Sequence, residues 1–135
     1  MQETYLCKTD LGEIEISRTI LAHAILSAVN QMDGQVLVTS KKGKLLTAGG
    51  KRGSADETDC LEIDDRSGAL VVRVYLAVRF GLSMKQVTDS LAGKIRKNML
   101  KEIGVSPAST IIHVTGTLAK KMAPRDIEYR IDYED

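Results

Sequence analysis

His23, Ser27 and Asn30 fall along one stripe of a helical repeat, and an imidazole one turn from a hydroxyl is the first arrangement in this chain that could do chemistry. A base–nucleophile pair works only when a third group orients the imidazole and donors await the developing oxyanion, and the sequence supplies neither. A polar stripe on an otherwise buried helix accounts for the three residues more simply. His113 stands between Ile112 and Val114 in a strand-like run, so it points away from the face the two aliphatics fill. Asp64 and Asp65 resemble paired carboxylates, but Arg66-Ser67-Gly68 follows them, and aspartates ahead of such a cluster belong to a tight turn.

Gly49-Gly50-Lys51-Arg52-Gly53-Ser54 has the composition of a phosphate-cradling loop. A P-loop would need glycine at position 45 and serine or threonine at 52, where Leu45 and Arg52 stand, so nucleotide binding of that kind is excluded. What remains is a basic loop in which Lys51 and Arg52 are candidate anion contacts. Lys94, Lys97 and Lys101 share one flank of a helical segment and Lys85 and Arg96 the other. Cations on the solvent side are expected of any amphipathic helix, and the chain has no Trp and a single Phe on which bases could stack. A nucleic-acid module using that helix and the loop 41–52 is therefore the alternative reading, not the first.

The elements that must position these groups follow from periodicity. Glu13 to Ser17 alternates, with Ile14 and Ile16 on one face of a short strand. Ser17 can cap a helix running to about Met32, whose apolar arc is Leu21, Ala24, Ile25, Ala28, Val29 and Met32. Asp33-Gly34 stops it. Val36–Ser40 and Lys44–Thr47 are expected as two short strands, and Ala48–Asp59 as an aperiodic loop. Leu61–Asp64 and Leu70–Phe80 flank the turn Asp65–Gly68 as a hairpin, with Val72, Val74, Leu76, Val78 and Phe80 inward. Ser83-Met84-Lys85-Gln86 is a capping box opening a second helix to about Ile103, its core stripe being Met84, Val87, Leu91, Ile95 and Met99. Thr110–Thr117 is a further strand. Arg125–Asp135 alternates again, Ile127, Tyr129, Ile131 and Tyr133 against charges, so it must pair with an edge of its own sheet or of a second copy. Those four side chains are the candidate oligomer contact. The order predicts an α+β fold, a mostly antiparallel sheet with two helices on one face, in a single domain over residues 1–135.

Composition restricts the function classes. A net charge of +1 gives no global attraction to nucleic acid or membranes. Cys7 and Cys60 are far apart and away from both histidines, which argues for reduced cytosolic thiols rather than a zinc site or disulfide framework. Residues 1–10 have no apolar core of a signal peptide, and the apolar run Val74–Val78 is bracketed by Arg73 and Arg79, so neither secretion nor direct membrane insertion is expected. No catalytic residue, cofactor or metal ligand is assigned.

Gly12-Glu13-Ile14-Glu15-Ile16-Ser17 before an apolar helix, Val74-Tyr75-Leu76-Ala77-Val78-Arg79-Phe80-Gly81 before a capped helix, and Ile103-Gly104-Val105 followed by Ile112-His113-Val114-Thr115-Gly116 occur in that order. In order and spacing they resemble the bacterial alkaline-shock, or envelope stress-response, proteins over about residues 11–118, leaving 119–135 as a strand-like extension. Met84-Lys85 stands where the family usually has Ile-Pro, and Ile111 where it has Asn. The resemblance implies a non-enzymatic cytoplasmic binding or scaffold protein without cofactors. It also implies action through self-association or a protein partner, with some relatives recruited to the membrane face by an integral-membrane anchor.

Overall fold

The computed structural model describes residues 3–46 and 58–133. The elements are β1 (Thr4–Thr9), β2 (Gly12–Ser17), α1 (Arg18–Asn30), β3 (Val36–Val38), β4 (Leu61–Asp64), β5 (Val71–Arg79), α2 (Met84–Glu102), β6 (Ser109–Leu118) and β7 (Met122–Asp132). The fold is α+β. The main sheet runs β3-β5-β6-β7, with β4 sharing the β3 side of β5, and β1-β2 form a separate hairpin. All pairings are antiparallel except β5-β6, which is parallel because α2 carries the chain back between them.

Both helices begin where the sequence places them. The Ser17 hydroxyl accepts from the Ile20 amide at 3.1 Å, and the Ser83 hydroxyl from the Gln86 amide at 3.3 Å. The second helix ends because Gly104 turns left-handed at φ 86° and donates its amide to the carbonyls of Met99 and Leu100, a conformation that costs glycine little. Leu21, Ala24, Ile25, Ala28, Val29 and Met32 of the first helical segment and Val87, Leu91, Ile95 and Met99 of α2 all lie in the core. They cover Val72, Val74, Leu76 and Val78 of β5 and Ile112 and Val114 of β6.

Several boundaries differ from expectation for identifiable reasons. Phe80 does not face inward: β5 ends at Arg79, Gly81 turns with φ 95°, and the Phe80 ring is 73% exposed. Val36–Ser40 shortens to Val36–Val38, and of the expected strand Lys44–Thr47 the described residues 44–46 give an isolated bridge from Leu45 to Thr39, since the turn between them diverts the chain across the sheet, while Thr47 lies outside the described residues. Thr58–Cys60 is a single 3-10 turn; the rest of the expected loop lies outside the described residues. The strand β1 is additional to the expected elements, although Tyr5 and Cys7 alternate with Leu6 and Lys8 and are both buried. Its hairpin docks on the β4–β5 turn, where the Leu6 amide donates to Asp65 Oδ2 and the Lys8 amide to the Gly68 carbonyl. In that turn Asp64 accepts from Arg66 through its backbone amide, Nε and Nη2, at 2.8–3.0 Å. The side-chain bonds to Arg66, with its amide bond next, hold the Asp64 carboxyl well below 3.8, at about 2.

Leu76 is fully buried at the centre of β5, so Leu76→Ala should lower stability by about 2–5 kcal/mol in urea unfolding followed by circular dichroism. Because the folded Asp64 titrates below its unfolded value, its contribution is complete above the ordinary carboxylate range and fades as the pH falls through about 2. An NMR titration should place the Asp64 carboxyl near that value, and Arg66→Ala should raise it only part of the way toward an unpaired aspartate, because the backbone amide of residue 66 still donates to it.

Candidate functional site

A strand normally leaves one face to water, but β5 is covered on both. Opposite the helices, Tyr75 and Ala77 are as buried as the core face. Part of their cover is the turn after β3: the hydroxyls of Thr39 and Thr115 lie 2.7 Å apart, and Gly43 passes close over Thr115. The remaining cover consists of charged side chains laid across the strands. Arg73 of β5 donates Nη1 to Glu128 Oε1 of β7 at 2.8 Å and lies 3.8 Å from Glu62 of β4, whose other oxygen is 3.8 Å from Lys41. Aliphatic stems on the apolar floor and charged heads in water suit such residues to this position.

Between this lattice and the amino-terminal part of β7 lies a cleft of about 520 Å³, lined by Lys41, Lys42, Glu62, Arg73, Tyr75, His113, Thr115 and Pro124 to Asp126. Its floor is the Tyr75 ring against the His113 ring, centroids 5.3 Å apart and planes inclined at 38°. His113 Nε2 is 2.6 Å from Asp126 Oδ1, while Nδ1 is buried without a hydrogen-bond partner among the described residues. Burial, and then the nearby Glu62 carboxylate, push the Tyr75 phenol up, so it stays neutral. Lys42 and Arg125 have no carboxylate partner among the described residues, although Arg125 donates to the Pro124 carbonyl.

The hydrogen bonds of the cleft tie up its polar groups. One imidazole nitrogen is committed to Asp126 and the other is enclosed, so His113 is badly placed to shuttle protons. The hydroxyl of Thr115, which also lines the cleft, is occupied by Thr39 and by the Leu76 carbonyl. The basin is broad and polar, with Lys41, Lys42 and Arg125 beside Glu62 and Asp126 in its lining.

The residues singled out from sequence are dispersed. His23 is 72% exposed and bonded at 3.2 Å to Glu102, Ser27 is half-buried and Asn30 is exposed. A carboxylate does stand beside His23, but the imidazole is largely exposed rather than enclosed. Lys97 and Lys101 are exposed and Lys94 half-buried on α2, on the helix side of the sheet, whereas Lys41 and Lys42 line the basin on the other side. Lys51 and Arg52 lie outside the described residues. Ile127, Tyr129, Ile131 and Tyr133 are half-buried against the chain's own core, with β7 paired to β6. Among the described residues no cluster of His, Cys, Asp or Glu could hold a metal ion, and Cys7 and Cys60 are buried and not joined in a disulfide, burial pushing the Cys7 thiol up.

Sequence reasoning missed Glu62, Arg73, Tyr75, Asp126 and Glu128 as one group. The Glu62–Arg73 contact was readable, since the expected hairpin places these residues opposite each other. The His113–Asp126 contact was not, because the β6–β7 register shifts between Val114 and Gly116.

Among known proteins, the chain is 27% identical over 109 residues to the uncharacterized protein YqhY of Bacillus subtilis (strain 168), a match spanning 80% of this chain and 78% of that protein. No solved structure matches. The sequence pattern of the alkaline-shock family, described as having a cell envelope-related function, matches residues 7–118, which hold every element from β2 to β6 and part of β1. No helix among the described residues is long and apolar enough to cross a membrane. The matched segment is most of the chain and contains the basin's floor, and on that ground the chain belongs to the alkaline-shock, cell envelope-related family.

Proposed function

We propose that this protein is a non-enzymatic cytoplasmic scaffold of the envelope stress response, acting through a protein partner or through self-association at the membrane face. The observation that carries this reading is the open face of the sheet, where a floor of buried Tyr75 and half-buried His113 is roofed by paired charges and rimmed by Lys42 and Arg125. A surface of this kind offers area and charge to a partner, and it supplies no activated nucleophile. Family membership supports the envelope connection. A membrane role requires a partner, because the apolar stripes of both helices are consumed by the core and neither is left to enter a bilayer. The nucleic-acid alternative is weakened by geometry: Lys94, Lys97 and Lys101 lie on the opposite side of the sheet from Lys41 and Lys42, so they form no single basic track.

The test is the triple variant Lys41→Glu, Lys42→Glu, Arg125→Glu in a host strain whose own copy has been removed. The variant should fold, lose co-purification of the proteins that the wild type retains, and fail to restore growth under envelope stress. Full restoration would place the function elsewhere on the molecule.

The isolated protein should not sediment with neutral or anionic vesicles at physiological salt; strong binding to both would make a membrane-anchoring partner unnecessary. Any binding to RNA or DNA should be weak and vanish as salt rises, and a tight complex at physiological salt would favour the nucleic-acid reading.

A further inference from the structure

The strand β7 begins beyond the family-matched segment and forms one edge of the main sheet. Its sequence from 126 to 132 is Asp-Ile-Glu-Tyr-Arg-Ile-Asp, which reads the same in both directions except that Glu128 and Arg130 exchange sign about Tyr129. The direction of its backbone can be worked out. The Tyr133 amide donates to the Ala108 carbonyl, and the register to β6 is regular from Ser109–Asp132 to Val114–Ile127. Odd-numbered residues of this stretch therefore turn their amides and carbonyls toward β6, and Asp126, Glu128, Arg130 and Asp132 turn theirs outward.

We propose that β7 pairs antiparallel with β7 of a second copy about a two-fold axis at Tyr129, joining two sheets into one. This names self-association as the form of the scaffold reading above and rests on it. In that register Glu128 faces Arg130 of the second copy and Arg130 faces its Glu128, both at hydrogen-bonded positions, because the outward amides belong to those residues. Ile127 faces Ile131 and Tyr129 faces Tyr129 on the helix side, where all three are already half-buried. Each interface is thus charge-paired on one face and apolar on the other, which is what specifies register between strands. The one like-charge meeting, Asp126 with Asp132, falls at the ends, where Asp126 is bonded to His113 and Asp132 to Ser109 and Arg130. Pro124 has no amide to donate and ends the pairing on the amino-terminal side. The Arg73–Glu128 contact would carry the charge alternation across the new interface to the second copy's Arg130.

Light scattering and sedimentation on the full chain test this. The wild type should dimerise, and Glu128→Arg or Arg130→Glu alone should weaken the dimer on the order of tenfold, since each puts like charges opposite at both symmetric positions. An equimolar mixture of the two single variants should restore it, because the heterodimer has both pairs in the attractive sense. A purely intramolecular effect would not be repaired by mixing. Tyr129→Cys gives a second route: in the symmetric register the two residues form a non-hydrogen-bonded pair with Cα atoms about 4.5 Å apart, within disulfide reach. Mild oxidation should trap a covalent dimer, with native Cys7 and Cys60 protected by burial. Ile131→Cys alone should not link, but should link to Ile127→Cys. A wild type that stays monomeric to about 1 mM, or a dimer indifferent to the charge changes and not cross-linked by Tyr129→Cys, overturns the proposal. Those results leave the open-face variant to judge the scaffold reading separately.

Discussion

The structure depends on β5 being buried from both sides. A central strand with Val72, Val74, Leu76 and Val78 on one face and Tyr75 and Ala77 on the other cannot be left half in water, so the rest of the chain must supply two covers. The helix side meets this with aliphatic stripes from α1 and α2. The opposite side has no third layer among the described residues and is closed by the Ser40–Lys44 turn and a roof of long charged side chains. Arg73, only 28% exposed at its side chain, is held there by two carboxylates, Glu62 of the adjacent β4 and Glu128 of β7, reached across β6. The charged face is therefore part of the fold's solution to burying β5 as well as the surface we propose for a partner.

The parallel β5–β6 pair follows from the same constraint. Returning through α2 lays an amphipathic helix over the core face, with Thr88 and Asn98 among its buried residues. Asn98 donates its side-chain amide to the Ala24 carbonyl of α1, giving the two helices a polar tie within an apolar contact. Tyr133 plays a similar part at the end of β7, its hydroxyl donating to the Ala92 carbonyl of α2 and sharing a bond with Thr110, so the last strand is anchored to helix and sheet. Gly116 lets β7 approach: a Cβ there would lie 2.5 Å from Met122 Sδ and 3.1 Å from the Ala123 carbonyl oxygen.

Sequence was most legible where the contacts are local. Caps at Ser17 and Ser83, the helix stop at Gly104 and the β4–β5 turn are decided by residues a few positions apart, and periodicity identified the inward faces of α1, α2 and most of β5. Phe80 was misplaced because alternation continues past the point where Gly81 has already turned the chain. The charged basin was illegible for a different reason. Its members come from five separated stretches, and the His113–Asp126 contact depends on a register shift that no local pattern encodes. The alternation of Ile127, Tyr129, Ile131 and Tyr133 announced a strand; only the backbone direction set by Tyr133 and Ala108 showed which of its amides face outward.

In the proposed dimer β7 is a working edge, satisfied by β6 on one side and by a second copy on the other. Amide hydrogen exchange along β7 at low and high protein concentration measures this directly. The amides of Ile127, Tyr129 and Ile131 should be protected at both concentrations, and those of Glu128 and Arg130 should exchange freely when dilute and become protected when concentrated. Free exchange of Glu128 and Arg130 at every concentration would contradict it.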